Sequence, residues 1–598
     1  MRLPVALVVA TLALAGCIQL APAGGPVDPA VAPATGFSGT HVFPGTYNTT
    51  EKFARVAIPG PFKLAVPEIT RHASAYDGAS IQIGVVRPEV PNGTKVPIVV
   101  FASPYLKSLD TIDLTKTQRR LVENLVPHGY AVAFVPVRGT ADAGGCSDLM
   151  GKAERADLDQ AITWLGEQPW SNGAIGMVGV SYDGSTPWEV AASGNPYLKT
   201  IVPISGVNDV WDLMYQNGTN EARGMVVLNA LYYEYGFVEN NVLNGRSPQH
   251  VAGGIVCPES FKGFGAAMSA FASGERDPLG YWAERNSRPG VEANYNGSIF
   301  LVQGLQDWNV DPGHSYPWVN QLEAKGLVVK HLLGQWAHAW PDSFTREGHP
   351  GRWDWAEILL RWFDYWLKGD TRVDLGPRVQ VADSSGRWRS DHSWPPADAT
   401  PLKLHLAPNG KLATEPPADA ARIPVALDPA RGGFVSGATN AVPALGPALK
   451  AGCACAVFAS DPFEDGLRFA GMPRVHVTVT PSGPGGWISA HLYAVENGTE
   501  KRVGWGQLDL RFADASQTMK PVVPGQPIVA RLALEPLDAV VAPGGSLKLV
   551  ISQGSYGDNV YGTTPFPVVL EVGGEKSAMT LDSFERDASA FFEPPTNG

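Results

Sequence analysis

Residues 175–184 read Ile-Gly-Met-Val-Gly-Val-Ser-Tyr-Asp-Gly, a short apolar run that leads into a serine placed between two glycines. A strand that turns tightly into a helix presents such a serine above the sheet, in the arrangement called a nucleophile elbow. Gly179 leaves room for the close packing of that turn, and Gly184 follows Ser181 by three positions instead of the two in G-x-S-x-G. The stretch therefore predicts a strand that ends at a reactive serine.

This stretch belongs to a longer region, from about residue 75 to residue 370, in which short apolar runs alternate with helical patterns. One helical pattern is Lys152–Leu165, whose apolar residues recur near helical spacing between two of the runs. Continuous apolar runs are typical of strands buried on both faces of a parallel sheet, and their alternation with helices predicts an α/β fold. The predicted strands are Pro97–Ser103, Tyr130–Val137, Ile175–Val180, Thr200–Ile204, Ser298–Gly304 and Leu327–Leu333.

Two further segments complete the predicted organisation. Residues 208–296 interrupt the alternation, and we interpret them as a helical cap, with helices at Glu221–Tyr235 and Phe261–Ala272, inserted into a catalytic domain of residues 41–370. In residues 371–598, short β-type runs separated by Gly and Pro predict an all-β sandwich or jelly roll. These runs are Lys403–Leu406, Arg474–Thr480, Trp487–Tyr493, Ile528–Leu534, Ser546–Ser552 and Pro567–Glu571.

A serine needs a base to accept its proton, and α/β-hydrolases supply an acid and then a histidine after the serine in chain order. Asp307 comes directly after a predicted strand, and His338 comes after the next strand along the chain. Because the carboxyl ends of parallel strands meet at one edge of a sheet, we predict Ser181, Asp307 and His338 as the catalytic residues. Asp311 and His314 are rival candidates for the acid and the base.

Five short motifs along the chain carry a family resemblance. They are Ser103-Pro-Tyr105-Leu-Lys107, Val137-Arg-Gly-Thr140 with Gly144-Gly-Cys146, Gly179-Val-Ser-Tyr-Asp-Gly184, Gly304-Leu-Gln-Asp-Trp-Asn-Val310 and Gln335-Trp-Ala-His338. Together with the β-rich C-terminal region, they resemble the X-prolyl dipeptidyl-peptidase family of serine hydrolases and the related cocaine-esterase-like acyl esterases over roughly residues 60–590. The resemblance implies an α/β-hydrolase domain, a helical cap and a C-terminal jelly roll.

The resemblance also implies a role for each site residue. Ser181 is the implied nucleophile, His338 the general base and then the acid, and Asp307 the residue that orients His338. Donors must stabilise the charge that develops on the substrate carbonyl oxygen. In relatives these donors are the tyrosine of the Ser-Pro-Tyr-type motif and the backbone N–H after the serine, which correspond to Tyr105 and Tyr182 here.

The family includes peptidases and esterases that share every catalytic element. We predict an Xaa-Pro dipeptidyl-peptidase that releases N-terminal dipeptides through an acyl-enzyme on Ser181, because Asp-Trp-Asn-Val at residues 307–310 looks more like the peptidases. A cocaine-esterase-like acyl esterase, which would act on an ester substrate, is the alternative. A catalytically dead lipoprotein that binds peptides or glycans is a remote alternative.

A dipeptidyl-peptidase of this kind must hold a free N-terminal ammonium and a proline ring. The ammonium needs carboxylates or carbonyl oxygens, because a buried charge without a partner is costly. The ring needs an apolar pocket, for which we predict Trp211, Tyr215 and Trp308. Acids of the cap segment are candidates for the ammonium site; they are Asp209, Asp212, Glu221 and Glu234.

The N-terminus has the pattern of a secretion signal. Arg2 supplies a positive charge, residues 3–15 form an apolar run too short to span a membrane as a helix, and Leu14-Ala-Gly-Cys17 resembles a prokaryotic lipobox. We therefore predict lipidation of Cys17, with residues 18–40 as a flexible tether. The expected location is the outer face of the cytoplasmic membrane or the cell envelope.

Composition excludes two protein classes. The 598 residues are 44% hydrophobic and 17% charged, which excludes a disordered protein, and a net charge of -12 without a basic run argues against a nucleic-acid partner. No His-x-x-x-His or Cys-x-x-Cys pair is present, so we predict no metal and no cofactor. A disulfide between Cys146 and Cys257 and free buried thiols are both compatible with the sequence.

Overall fold

A computed structural model describes most of the chain, namely residues 37–38, 53–106, 116–218, 277, 280–307, 309–343, 351–426, 454–514, 519–553 and 566–595. The predicted signal, nearly all of the tether, and the two helices predicted within the cap lie outside these residues, as does Trp308. None of the helices in the described ranges combines the length and the apolar character that a membrane span requires.

Ten strands between residues 68 and 391 belong to the first sheet. All six strands predicted for this region are present, each within a few residues of its predicted bounds, and Ser298–Gly304 has the bounds that we predicted. The strands are β1 (Glu68–Ala73), β2 (Ser80–Val86), β3 (Val96–Ser103), β4 (Ala131–Pro136), β5 (Ser171–Val180), β6 (Leu198–Ile204), β7 (Ser298–Gly304), β8 (Val329–Gly334), β9 (Val379–Ala382) and β10 (Trp388–Asp391).

The strands follow the spatial order β1-β2-β4-β3-β5-β6-β7-β8-β9-β10. Strands β3 to β9 pair in parallel, whereas β1, β2 and β10 pair antiparallel at the two sides. The carboxyl ends of β5, β7 and β8 therefore point to the same edge of the sheet. This topology confirms the predicted α/β-hydrolase domain.

Both faces of the first sheet are buried, which explains why its strands are continuously apolar. In β3, Ile98 and Val100 pack in one core cluster, while Val99 and Phe101 pack in another. Helices α1 and α7 cover one face, and α2, α3, α5 and α6 cover the other. The helices are α1 (Lys116–Leu125), α2 (Lys152–Gly166), α3 (Tyr182–Ser193), α4 (Val210–Met214), α5 (Arg288–Asn294), α6 (Trp318–Ala324) and α7 (Trp355–Lys368).

The C-terminal region forms a second, mostly antiparallel sheet with its own apolar core, as predicted. Among the described residues, one strand pair in it is parallel, the pair of β12 and β14. Its strands are β11 (Thr400–Leu406), β12 (Lys411–Ala413), β13 (Ala421–Val425), β14 (Ala456–Ser460), β15 (Leu467–Gly471), β16 (Arg474–Pro481), β17 (Trp487–Glu496), β18 (Thr499–Asp509), β19 (Ile528–Ala533), β20 (Leu537–Val541), β21 (Ser546–Ser552), β22 (Val568–Val572) and β23 (Ala578–Ser583).

The first sheet continues beyond residue 371, where we predicted the second domain to begin. Strand β9 pairs with β8, β10 pairs with β9, and the short strand β24 (Phe591–Phe592) pairs with β10. Without these strands, β8 would present unpaired backbone N–H and C=O groups at an edge. The predicted boundary at residue 371 stays a prediction, but the hydrogen bonds of the first sheet extend past it.

A buried ion pair joins the two domains. Arg389 of β10 donates two hydrogen bonds, of 2.7 and 2.6 Å, to the two carboxylate oxygens of Asp538 in β20. Trp394 donates a third bond to the same carboxylate at 3.0 Å. Both ion-pair side chains are fully buried, so the contact fixes the all-β domain against the sheet that carries the site.

Cys146 and Cys455 are both disulfide-bonded.

Candidate active site

Ser181 lies between the end of β5 and the start of α3, where the chain turns tightly. Its backbone has φ 67° and ψ -129°, which is a conformation that residues other than glycine rarely adopt. Such a conformation costs on the order of 1–3 kcal/mol and persists only where the surroundings hold it. The N–H of Ser181 donates to the carbonyl of Ile204 in β6 at 3.0 Å, and this bond fixes the turn against the neighbouring strand.

The spacing of the two glycines around Ser181 has a steric cause. A Cβ on Gly179 would lie 2.3 Å from the carbonyl oxygen of Asp183, and a Cβ on Gly184 would lie 2.7 Å from that of Ile204. The same Cβ on Gly184 would also come within 2.8 Å of the carbonyl oxygen of Gly179. Helix α3 thus packs directly on the ends of β5 and β6 at Gly184. The tight turn therefore needs a residue without a side chain at this position.

Asp183 occupies the position of the second glycine in G-x-S-x-G, and its carboxyl group is buried. Burial raises the pKa of Asp183 well above its usual value, and a hydrogen bond with the Ser103 side chain opposes that rise. The Ser103 hydroxyl oxygen also accepts a bond from the N–H of Tyr105 at 3.0 Å. A chain of hydrogen bonds therefore connects the elbow to the segment that carries Tyr105, a connection that the sequence did not predict.

The structure brings Asp307 and His338 together at the same edge of the sheet. Nδ1 of His338 lies 2.8 Å from Oδ2 of Asp307, which is completely buried. The other carboxylate oxygen accepts the N–H groups of Asn309 at 2.8 Å and Val310 at 3.0 Å. A carboxylate only accepts, so His338 donates from Nδ1 and leaves Nε2 with a lone pair. This Nε2 atom makes no hydrogen bond within the described part of the chain.

The loop that carries His338 is anchored by a buried ion pair. Asp342, four residues after the histidine, forms an ion pair with Arg120 of α1, with 3.2 Å between Nη2 and Oδ1, and accepts the N–H of Ala54 at 2.7 Å. The Arg120 guanidinium lies 4.6 Å from the centre of the Trp340 ring. These contacts hold residues 338–342 against α1 and thereby limit the positions that the imidazole can adopt.

The rival candidates for the acid and the base, Asp311 and His314, make other contacts. Nε2 of His314 accepts the N–H of Asn208 at 2.9 Å, and its Nδ1 lies 3.9 Å from Asp212. Asp311 contributes instead to a small cavity between the two domains. Of these candidates, the pair of Asp307 and His338 is therefore the one whose hydrogen bond can relay a proton.

Of the two tyrosines predicted for the oxyanion hole, Tyr182 directly follows Ser181, and Tyr105 packs against the Tyr182 ring. Tyr182 is the first residue of α3, where backbone N–H groups have no acceptor within the helix and the helix dipole favours negative charge. Tyr105 is 39% exposed, which places it at a surface instead of in a core, and its ring centre lies 6.5 Å from that of Tyr182. The Tyr105 ring therefore lies next to the side chain of the residue that supplies the predicted backbone donor.

The structure describes two of the three residues that we predicted for the aromatic pocket. Trp211 and Tyr215 stack with their ring centres 4.0 Å apart, and Trp282 packs edge-on against both. All three are buried in the core cluster of the first domain. Trp308 lies outside the described residues, so its part in the pocket stays a prediction.

An acidic cavity of about 70 Å³ lies between the domains, beyond the carboxyl edge of the first sheet. Its lining includes Asp212, Asp311 and Glu535, one from each of three chain segments. Glu535 of the all-β domain accepts the N–H of Gly313 at 2.7 Å, and Arg288 donates to Asp212 at 2.6 Å. Three carboxyl groups from separate segments therefore converge on one small cavity. In the described ranges, this cavity included, no group of three or more His, Cys, Asp or Glu side chains is arranged to hold a metal ion.

Two family models match successive parts of the chain. The model of the X-Pro dipeptidyl-peptidase (S15 family) matches residues 77–340, and that of the X-Pro dipeptidyl-peptidase C-terminal non-catalytic domain matches residues 371–567. A Bacillus anthracis relative that bears an Xaa-Pro dipeptidyl-peptidase name is 24% identical, with 80% of each chain covered. The cocaine esterase of a Rhodococcus species is 24% identical over 56% of this chain and 62% of its own.

A solved structure reproduces the same two-domain architecture. It is an aminopeptidase from a marine sediment archaeon, Thaumarchaeota archaeon, with a TM-score of 0.69 and 18% sequence identity. The match covers 92% of this chain and 99% of the archaeal one. At this identity the likeness supports the fold alone.

Proposed function

This chain belongs to the X-Pro dipeptidyl-peptidase (S15) family of serine hydrolases, and on that premise we propose that it removes Xaa-Pro dipeptides from the N-termini of peptides. The observation that carries the proposal is the Asp307–His338 hydrogen bond, which leaves Nε2 without a hydrogen bond among the described residues, at the sheet edge where the Ser181 elbow lies. The proposed Xaa-Pro specificity is taken from the names of relatives that are about 25% identical to this chain. One of them is from Bacillus cereus.

Acylation begins when the Ser181 hydroxyl oxygen attacks the carbonyl carbon of the proline. The hydroxyl proton passes to Nε2 of His338, and the carboxylate of Asp307 stabilises the imidazolium that forms. When the tetrahedral intermediate collapses, the C–N bond breaks and Nε2 returns the proton to the leaving amine. The dipeptide remains attached to Ser181 as an ester.

Deacylation repeats these steps with water as the nucleophile. His338 takes a proton from the water as its oxygen attacks the ester carbonyl, and the same proton returns to Ser181 as the C–O bond breaks. The dipeptide leaves with a free carboxylate. In both steps we assign stabilisation of the oxyanion to the N–H of Tyr182 and the hydroxyl of Tyr105, and each such donor contributes a few kcal/mol.

The acidic cavity supports recognition of a free N-terminus. Asp311 lies in the same loop as Asp307, four residues later, so one loop contributes to both the cavity and the triad. An ammonium that enters it would find the negative charge that its desolvation requires. We therefore assign the ammonium site to Asp212, Asp311 and Glu535 and expect Glu535→Gln to raise KM for peptides with a free amine.

Product analysis tests the peptidase activity. The chain is incubated with a peptide that begins Xaa-Pro, and mass spectrometry follows the release of the dipeptide. A matched peptide with alanine in place of proline and an N-acetylated copy are the controls. Release of the dipeptide from the free Xaa-Pro peptide alone supports the proposal, whereas cleavage of none of the three overturns it.

The similarity to the Rhodococcus cocaine esterase favours a second candidate function. An acyl esterase would use the same Ser181, Asp307 and His338 and would not need the ammonium site. Rapid hydrolysis of p-nitrophenyl butyrate together with inert Xaa-Pro peptides would identify this activity. A fluorophosphonate reacts with the active serine in both cases, whereas a catalytically dead scaffold would not react.

We also propose that the chain is exported and lipid-anchored through Cys17. The apolar run at residues 3–15 and the Leu14-Ala-Gly-Cys17 sequence support this. The native chain is expected to incorporate labelled fatty acid and to fractionate with membranes when it is expressed in a bacterium. Cys17→Ser should abolish both, and equal labelling of the two chains would contradict the proposal.

A further inference from the structure

Two buried glutamates lie behind the nucleophile elbow, in a part of the molecule that the proposed mechanism does not use. Glu154 belongs to α2 and Glu189 to α3, and their exposed fractions are 0% and 1%. Glu189 follows Tyr182 by seven residues, so both lie on the same face of α3. Helices α2 and α3 therefore meet at a pair of carboxyl groups.

The two carboxyl groups have too few donors to be ionised together. Met150 and Tyr182 bond one oxygen of Glu154, but its other oxygen and both oxygens of Glu189 accept nothing from the described donors. Each of the two groups affects the ionisation of the other. Two carboxyls can hydrogen-bond to each other only when one carries a proton. Burial and the neighbouring acid raise the pKa of Glu189 well above its usual value.

Charged groups from several elements face this pair. The Asp148 carboxylate at the start of α2 adds repulsion, whereas the Arg155 guanidinium favours ionisation of Glu189. Asp148 is itself held by backbone N–H groups of α2 at 3.0 and 3.2 Å, and it lies near Arg285 and Arg138. Among the described residues, no cation donates a hydrogen bond to either glutamate, so a proton shared by the two carboxyls would satisfy oxygens that have no other donor.

The pair is connected to the residue that follows the nucleophile. The Tyr182 hydroxyl donates to Oε2 of Glu154 at 2.7 Å. The N–H of Met150 lies 3.1 Å from that hydroxyl and 3.2 Å from the same carboxylate oxygen. The Tyr182 side chain is 3% exposed, so these bonds are shielded from water. They fix the first residue of α3 relative to α2.

We propose that Glu154 and Glu189 share one proton and act as positioning residues, which hold the Tyr182 side chain so that its backbone N–H faces the oxyanion. The proposal rests on the roles proposed for Ser181 and Tyr182, and it holds whether the substrate is a peptide or an ester. A displacement of about 1 Å at a catalytic group can reduce the rate roughly a hundredfold, so a buried bond at this place matters for turnover.

The test is the rate constant for inactivation by a fluorophosphonate, which needs the serine and the oxyanion donors but no particular acyl group. Glu154→Leu removes the acceptor of the Tyr182 hydroxyl and should lower the rate constant about 10- to 100-fold. Glu154→Gln keeps an acceptor and should remain within about threefold of the native chain. Tyr182→Phe should give a decrease in the same direction as Glu154→Leu and tests the same bond without altering the acid pair.

Two further measurements complete the experiment. For the substrate that the chain hydrolyses, Glu154→Leu should lower kcat and leave KM within about twofold, because the bond acts on the transition state. In the infrared spectrum, the protonated carboxyl band of the pair should disappear in Glu189→Gln. A native inactivation rate in both Glu154→Leu and Tyr182→Phe would overturn the proposal. Failure of the proposed function would appear differently, as a native chain in which Ser181 does not react.

Discussion

The carboxylate of Asp307 divides its two oxygens between two tasks. Oδ2 accepts His338 at 2.8 Å, whereas Oδ1 accepts two backbone N–H groups of its own loop, from Asn309 and Val310. The backbone bonds hold the carboxylate in one orientation, and that orientation fixes the tautomer of His338. The loop after β7 therefore determines which nitrogen of the imidazole can accept a proton from Ser181.

Asp307→Asn should abolish most turnover while the fold is kept. The amide can place its oxygen toward the two backbone N–H groups and its NH₂ toward His338, which then must accept at Nδ1 and carry its proton on Nε2. A histidine in that tautomer cannot act as the base, and the analogous change in another serine hydrolase lowers kcat about 10⁴-fold. Steady-state kinetics measure the effect. Asp311→Asn changes the rival acid, which we assign to the ammonium site, so it should raise KM and leave kcat near the native value. A kcat equally low in both variants would refute the assignment of Asp307 as the acid.

Gly184→Ala should destabilise the protein, because the added Cβ meets backbone atoms of β5 and β6 that cannot move aside. The contacts of 2.7 and 2.8 Å are with carbonyl oxygens, so we expect a loss near the upper end of the roughly 1–3 kcal/mol typical of overpacking. Thermal unfolding measures it. Gly485→Ala is the control, since a Cβ there has no atom within 4 Å. An unchanged Tm in Gly184→Ala would contradict the steric account of the elbow.

Asp538→Asn should loosen the contact between the domains. The buried Arg389 guanidinium would keep its positive charge but lose most of the negative charge that balances it. Removing one partner of a buried ion pair lowers the free energy of unfolding by roughly 3–5 kcal/mol. Differential scanning fluorimetry should show a fall in Tm of several degrees. The exposed pair of Arg372 and Asp370 provides the control, and Asp370→Asn should leave Tm unchanged. Equal melting temperatures for the two variants would mean that the buried pair does not hold the domains.

Stability should depend on pH through Glu154. Burial, followed by the charge of Asp148, raises the pKa of Glu154 from 4.5 to about 7. Between these values the folded state binds more protons than the unfolded state, so this group's contribution is present below pH 4.5 and is lost as the pH rises through 7. Glu154→Gln cannot ionise. The Tm of Glu154→Gln minus the Tm of the native chain should therefore increase as the pH rises from 4.5 to about 7 and then level off. A Tm difference that does not change with pH would contradict the raised pKa of Glu154.

Much of the fold followed from local sequence. Strands such as Ser298–Gly304 and Ser546–Ser552 were predicted with their observed bounds, because turn-forming residues flank continuous β-type runs. Helix α7 ends at Lys368, where the following Gly369 adopts φ 70°, a conformation that favours glycine. The chain order of Ser181, Asp307 and His338 was sufficient to predict three residues at one sheet edge.

The sequence did not predict which polar side chains bond to each other in the folded chain. Asp183 was quoted only as part of the serine motif, yet it bonds Ser103, which lies eighty residues earlier in the chain. Arg389 and Asp538 are separated by 149 residues, and nothing in either local sequence indicates the other. The glutamate pair behind Tyr182 was missed for the same reason, since Glu154 has the appearance of an ordinary helical acid. Spatial pairing of polar residues needs the folded chain.

The hydrolysis of three substrates tests the central claim most directly. They are Gly-Pro-p-nitroanilide, its N-acetylated form and p-nitrophenyl butyrate, each measured as kcat/KM with Ser181→Ala as the background. We predict that the free Gly-Pro substrate is cleaved, that acetylation lowers kcat/KM strongly because the ammonium is lost, and that Ser181→Ala abolishes turnover. Hydrolysis of the butyrate alone would contradict the peptidase assignment, and turnover by folded Ser181→Ala would contradict the assignment of the nucleophile.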